Sequence, residues 1–237
     1  MRLRLAAYIA SDVKTSKNWR KKYYKVWKFI DGFAKVKIKH KYGEMGFVNR
    51  KGEEVVPPKY DDVRDFHKGF ARVKLGDKWG YVNTQGEEVV RPKYNEVYGF
   101  YNGFSKVELK GKWGLINTQG EEVIPPKYYT IDFRNGLAVV RLNGKEGFLN
   151  EKGKEVVPLK YDAVDYFHEG FARVELDNKW GFVNTKGVEV VPPMYNEKEW
   201  TQLKALVDTG EYEGTEEQQY NQAHEEFQIW KRENEHK

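Results

Sequence analysis

The chain has 237 residues and a formal net charge of +5, with no cysteine, which excludes disulfide stapling, thiolate metal sites and a cysteine nucleophile. Aromatic residues make up 15% of it, 16 Tyr, 13 Phe and 7 Trp, too much ring surface for a disordered chain. Charge is uneven: residues 1–30 hold nine Lys/Arg against one Asp, whereas residues 196–237 hold five Lys/Arg against eleven Asp/Glu. A basic head and an acidic tail can attract one another or serve different partners.

The opening run, Met1 to Ala10, is too short for a membrane span and a poor match to a signal peptide, so no membrane association and a cytoplasmic location are expected. Residues 1–21 read as a basic lead-in without a period. From Arg20 to Phe29 basic and aromatic residues interleave, a mixture that can stack and neutralise single-stranded nucleic acid. However, Lys22-Tyr23, Val26, Phe29 and Gly32 share their spacing with Lys59-Tyr60, Val63, Phe66 and Gly69. The stretch therefore reads as the start of a repeat, and nucleic acid is disfavoured as a partner.

Residues 22–195 repeat. Gly46, Gly80, Gly114, Gly147 and Gly181 are 34, 34, 33 and 34 residues apart. Such a fixed period marks a tandem architecture of units that bury their faces on one another. Five units follow, 22–58, 59–92, 93–126, 127–159 and 160–193, the first enlarged by a longer turn over 38–44. In the second unit Phe70 to Leu75 alternates apolar and polar, the period of a half-buried strand. Gly76-Asp77 then reads as a two-residue turn, as do Lys110-Gly111, Asn143-Gly144 and Asp177-Asn178 in later units. Lys78 to Val82 is the next strand. Asn83-Thr-Gln-Gly86-Glu87 is an Asx-type turn closed by glycine, and Glu88-Val89-Val90 is a third strand that proline is expected to end. Tyr94 to Phe100 is a short fourth extended segment or tight turn. The expected unit is a three-stranded meander plus connector, and stacking is expected to bury Phe70, Val73, Leu75, Tyr81, Val82, Val89 and Tyr94.

Residues 196–237 change to helical spacing. Asn196-Glu-Lys-Glu199 and Thr215-Glu-Glu-Gln218 have capping-box form, and Gly210 reads as a stop. Trp200, Leu203 and Val207 form one stripe, and Tyr220, Ala223, Phe227 and Trp230 form another. These predict an acidic helical hairpin that caps the last unit. The alternative is that the Trp200–Trp230 segment is a second contact for a partner.

Lys78-Trp79-Gly80-Tyr81-Val82-Asn83, followed by Glu88-Val89-Val90-Arg91-Pro92-Lys93-Tyr94, resembles the WG-repeat family of bacterial proteins, over residues 22–195. The resemblance implies a β-rich repeat scaffold acting as an interaction module, without a catalytic motif. The whole units, running from Lys-Tyr to the prolines, point to a mainly β, open array of five meanders, a closed five-bladed propeller being the alternative, and no cofactor is expected. Met45 and Glu146 stand where the family has Trp. The glycine stays while its neighbour varies, so the glycines are expected to answer a backbone requirement, a special φ or close approach of another strand. A slot that takes Trp, Met and Glu is not fully buried, since a lone buried carboxylate is costly. Trp79, Trp113 and Trp180 are therefore candidates for a partly exposed aromatic row that binds a protein or peptide, against the simpler alternative that each lies flat on its own hairpin.

Other motifs carry less. Pro57-Pro-Lys-Tyr60, Pro125-Pro-Lys-Tyr128 and Pro192-Pro-Met-Tyr195 match a WW-domain ligand but recur at unit junctions, which assigns them to the scaffold. The five His have no metal-ligand spacing, and no metal site is expected. Asp61, Asp62, Asp65, Asp132, Asp162 and Asp165 fall on connectors, where paired carboxylates could serve a glycan-active enzyme. A cell-envelope carbohydrate binder using exposed tryptophans is the remaining alternative.

Overall fold

The computed structural model describes residues 19–39, 43–168, 170–209, 214 and 216–234, with the side chains of some helix positions left aside. The fold is mainly β, with five four-stranded antiparallel sheets followed by two helices. Contacts divide the chain into two compact units, Met1–Pro126 and Lys127–Lys237, the boundary falling inside the last strand of the third sheet.

Each sheet is a sequential meander. In the second sheet the strands are Asp62–Val63, Phe70–Leu75, Lys78–Asn83 and Glu88–Tyr94, paired in that order. The segment expected to be a connector thus supplies a two-residue edge strand, Val63 opposite Val73, giving four strands instead of three. From the second sheet on, each sheet begins just after a Lys-Tyr pair, which ends the sheet before it; the first sheet instead opens at Tyr23.

The expected turns form. Lys110-Gly111, Asn143-Gly144 and Asp177-Asn178 have positive φ at both residues, whereas at Gly76-Asp77 it is positive at Gly76 alone, as a type II′ turn requires of its first central residue. In the Asx turn, Asn83 Oδ1 accepts from Gln85 N at 3.0 Å and from Glu87 N at 2.9 Å. The expectation that proline ends the third strand is corrected. The strand Glu54–Tyr60 runs through Pro57 and Pro58, because the register jumps from Phe47↔Val56 to Met45↔Tyr60. The bulge lifts the two prolines out of the ladder, so no hydrogen bond is lost for want of their N–H.

That bulge explains the invariant-looking glycine within the chain. A Cβ built on Gly80 would lie 2.7 Å from Pro92 N and 2.8 Å from the Arg91 carbonyl carbon, and one on Gly46 would lie 2.8 Å from Pro58 N. Gly114, Gly147 and Gly181 face the same bulged backbone of their own sheets. Close approach is the requirement, and none of these five glycines has a positive φ.

The core lies between successive sheets of each unit. In the first unit Met45, Phe47, Val56 and Tyr60 pack on Val63, Phe66, Ala71, Val73 and Val82 of the second sheet. Tyr81, Val90 and Tyr94 pack in turn on Val97, Phe100, Val107 and Ile116. In the second unit Phe148, Val157 and Tyr161 meet Ala172, Val174 and Val183. Full burial of each such ring contributes about 2–3 kcal/mol. Leu75 departs from expectation at 48% exposure, since it is the last strand residue before the hairpin turn.

At three junctions inside the units the connector phenylalanine stacks on an aromatic of the sheet before it. Phe66 is 4.7 Å from Phe47, Phe100 is 4.9 Å from Tyr81 and Phe167 is 4.6 Å from Phe148. After the fifth sheet the helices take over. Helix α1 (Glu197–Thr209) opens on the predicted capping box: Asn196 N donates to Glu199 Oε2 at 2.8 Å, and Glu199 N donates to Asn196 Oδ1 at 3.0 Å. Its Trp200 stands 4.7 Å from Phe182, where another repeat would have placed its connector phenylalanine. Leu203 of α1, with Ala223 and Phe227 of helix α2 (Glu216–Asn234), completes the cluster over Val191 and Tyr195. Gly210, Thr215 and the side chains of Val207, Tyr220 and Trp230 lie outside the described residues.

Candidate functional site

A three-residue clamp binds one sheet to the next. Tyr60, the last residue of the first sheet, donates its hydroxyl to Glu88 Oε1 at 2.6 Å, and Lys59 pairs with the same oxygen at 2.8 Å. Lys93-Tyr94 holds Glu122 in the same way, and Lys160-Tyr161 holds Glu189. In the first sheet the entering chain supplies the pair, Lys22-Tyr23 on Glu54. Burial, then the carboxylate hydrogen bond, pushes the hydroxyls of Tyr23, Tyr60, Tyr94 and Tyr161 well above the ordinary phenol range. The lysine and tyrosine bonds hold Glu54, Glu88 and Glu122 below the usual carboxylate range. For Glu189 burial opposes the same bonds, which prevail. These are joints, and they account for the Lys-Tyr pairs at 22–23, 59–60, 93–94 and 160–161 without a ligand.

Among the described residues no sixth sheet follows Tyr195. Helix α2 receives it: Gln228 Nε2 donates to the Tyr195 hydroxyl at 2.6 Å, and the His224 Nδ1 lies at 2.6 Å. With Gln228 as donor, the hydroxyl proton goes to a neutral His224 ring, which burial keeps below its ordinary titration range.

The residues before the glycines lie on one face of each sheet, beside cations. Trp79, Trp113 and Trp180 are all half-buried. The Arg64 guanidinium and the Lys74 ammonium stand 5.6 and 5.8 Å from the Trp79 ring. Lys106 lies 4.1 Å over Trp113 and 5.6 Å from exposed Tyr98, whose ring is 5.8 Å from Trp113. Arg173 lies 4.1 Å over Trp180. At the first sheet Trp27, with Lys25 at 4.5 Å from its ring, packs against the cluster that contains the buried Met45. Sequence reasoning missed Trp27 because it stands just past the edge strand Tyr23–Val26, outside the Trp-Gly motif; its basic neighbours were the available signal.

The fourth sheet inverts this chemistry. Glu146, 19% exposed, accepts Val164 N at 3.0 Å and lies 4.0 Å from Arg141. Asp132 pairs with Arg134 at 3.0 Å and accepts the Tyr166 hydroxyl, and Arg134 lies 4.1 Å over the Tyr166 ring. Glu146 is tolerated because the slot is half open and an amide answers its charge.

The connector carboxylates are all engaged. Asp61 Oδ2 accepts Gly76 N at 2.7 Å, and Asp162 accepts Asp177 N at 2.8 Å while pairing with Lys145 at 2.6 Å. Asp62 pairs with Arg64, Asp65 with Lys35 and Asp165 with Arg173. Among the described residues no group of acidic, His or Cys side chains is placed to hold a metal, and no helix is long and apolar enough to cross a membrane.

Five sequential meanders, each locked by a glycine under a proline bulge, define a tandem β-repeat protein. The WG containing repeat family matches residues 45–79, 79–113, 113–145, 147–180 and 180–197, more than half of the chain, and the chain belongs to that family. No curated protein matches the sequence. Among solved structures, Kluyveromyces lactis Hsv2p is 14% identical, covering 70% of this chain and 62% of that one, with a TM-score of 0.32. A eukaryotic initiation factor is 11% identical over 65% of this chain and 50% of that one, with a TM-score of 0.36. An extracellular domain of a B. thetaiotaomicron one component system is 9% identical over 69% and 28%, at 0.29. The chain spans less than two thirds of each.

Proposed function

We propose that the chain is a non-catalytic binding module for acidic peptide segments of a partner protein. Trp79, Trp113 and Trp180, with the cations stacked on them, are the contact residues. The observation that carries this reading is the constant pairing of a half-exposed indole with Arg or Lys at 4.1 to 5.8 Å. Such a pair offers apolar area and positive charge together, the composition enriched where interfaces concentrate their energy.

Two other readings fit less well. A sugar ring needs a bare aromatic face, and here cations occupy the faces. A glycan-active enzyme needs a carboxyl held protonated, whereas the connector carboxylates are spent on turns and ion pairs, and Asp162 is lowered by Lys145 and the Asp177 amide.

The test is fluorescence anisotropy of a labelled, glutamate-rich peptide containing one tyrosine, titrated with the full chain. Trp113→Ala is expected to weaken binding about 30-fold, as for a central aromatic anchor, and rising salt to weaken it further. Equal affinity for a neutral peptide, tighter binding of a single-stranded oligonucleotide, or indifference to Trp113→Ala would overturn the reading.

A further inference from the structure

Lys35, Arg72, Lys106 and Arg173 occupy one register position, the third residue of the strand after the connector, in four of the five sheets; the fourth sheet has Val139 there. Three of these cations are answered within the protein. Lys35 pairs with Asp65 of the next sheet at 3.0 Å, Arg173 pairs with Asp165 of its own sheet at 2.8 Å, and Lys106 lies over Trp113 and Tyr98. Arg72 differs. Its Nη1 donates to the Val97 carbonyl at 3.2 Å, and among the described residues no carboxylate pairs with it.

The repeats give the reason. An acid reaches this cation from one of two places. The position of Asp65, two residues after the edge-strand valine, is Gly99 in the next sheet, and the position of Asp165, one residue after that valine, is Arg64 in Arg72's own sheet. Both acids are therefore missing at Arg72; Lys106 lacks them too, with Tyr98 and Phe133 at those positions, but its ammonium is covered by the Trp113 and Tyr98 rings. The loss at Gly99 also opens space, since a Cβ there would meet nothing within 4 Å. The result is a recess of about 130 Å³ within the first unit, lined by Arg72, His67, Asp65 and Gly99 over Phe70, Tyr81 and Phe100. Phe100 lies 4.5 Å from Phe70 and 4.9 Å from Tyr81, so the floor is a closed aromatic surface. The Lys35 ammonium offsets the charge of Asp65. What remains is a guanidinium with unused donors above an apolar floor, open where a side chain is absent.

We infer that this recess is a carboxylate-binding site, filled by a glutamate or aspartate side chain of the bound peptide. The ligand's carboxylate takes the place of the acid that Gly99 lacks and bonds to Arg72, and its methylene stem lies on Phe70 and Phe100. His67 adds a ring donor at the rim. The inference deepens the acidic-peptide reading and rests on it for the source of the carboxylate, while the site itself can be measured apart from any peptide.

The experiment follows the Arg72 Nε–Hε signal by NMR in the full chain with 15N-labelled arginine, titrated with N-acetyl-glutamyl amide. Its glutaminyl counterpart and inorganic phosphate are the comparison probes. The glutamyl probe is expected to shift the signal saturably, with phosphate weaker and the neutral probe inert. Arg72→Gln, followed through neighbouring backbone amides, is expected to weaken binding about tenfold or more, the scale of a lost charge-assisted pair. Gly99→Asp is the sharper variant, because it restores an internal acid. It should abolish the shift without lowering the unfolding midpoint. Absence of a saturable shift, equal response to the neutral probe, phosphate binding as tightly as the glutamyl probe, or wild-type binding by Gly99→Asp would each overturn the assignment. Probe binding without binding of the long peptide would remove the peptide reading and keep the site.

Discussion

Gly80→Ala measures how tightly the proline bulge is pressed against the central strand. The new methyl carbon would lie 2.7 Å from Pro92 N and 2.8 Å from the Arg91 carbonyl carbon. The Val90 carbonyl oxygen would be closer still, and ordinary contact between such atoms begins near ~3.5 Å, so the outer strand must retreat by an ångström or more. Backbone atoms cannot swing aside as a side chain tip can. The retreat pulls on the pairs Trp79↔Tyr94 and Tyr81↔Val90 that bracket the bulge. Overpacking of this kind, with disturbed ladder bonds, is expected to cost about 2–4 kcal/mol. Gly69 is the control. It has φ +87° and open space around it, so Gly69→Ala meets only left-handed backbone strain, about 1–2 kcal/mol. The assay is urea unfolding of both variants beside the wild type, followed by far-ultraviolet circular dichroism. If Gly69→Ala proves the more damaging, or Gly80→Ala falls within about 0.5 kcal/mol of wild type, close approach is not what holds the glycine.

The buried Ser105 hydroxyl lies 2.6 Å from that of Tyr81, so a double-mutant cycle with Tyr81→Phe and Ser105→Ala should return a coupling of about 1 kcal/mol; purely additive effects would contradict it. Glu54, Glu88, Glu122 and Glu189 have folded pKa values below their unfolded ones. Their contribution is full above the unfolded carboxylate range, near ~4.3, and is lost as pH falls through the folded values. The melting midpoint should therefore drop with acid in that window, and drop less in the variant with all four changed to Gln. His224 is also depressed, so its contribution is present above the ordinary histidine value, about 6.5, and fades below it. Hydrogen exchange in residues 223–228 should speed up on acidification ahead of the sheets, and uniform exchange across both would refute the cap contact.

Much of this was legible in the sequence because it depends on neighbours. The two-residue turns, the Asn83 turn and the Asn196 capping box each need residues at most four apart, and all form. The strand through Pro57-Pro58 was not legible, because its continuation depends on a bulge against Gly46 and not on proline's own preference. Nor was the Tyr60–Glu88 joint, whose partners are 28 residues apart and look in one dimension like separate surface groups. At the candidate site the variation before the glycine pointed to Trp79, Trp113 and Trp180. The cations over them come from other strands, and the recess at Arg72 becomes visible only when one register position is compared between sheets.

Helices α1 and α2 put Trp200 on Phe182 and meet the Tyr195 hydroxyl with His224 and Gln228, at the positions where a following repeat supplies a phenylalanine and a glutamate. Termination and continuation thus use the same two handles, one ring slot and one proton acceptor. Copy number becomes an independent variable of such a chain. A repeat duplicated upstream of Ala163 would present the ending with an unchanged docking face, so the array can lengthen or shorten in its interior while its last sheet and helices stay as they are.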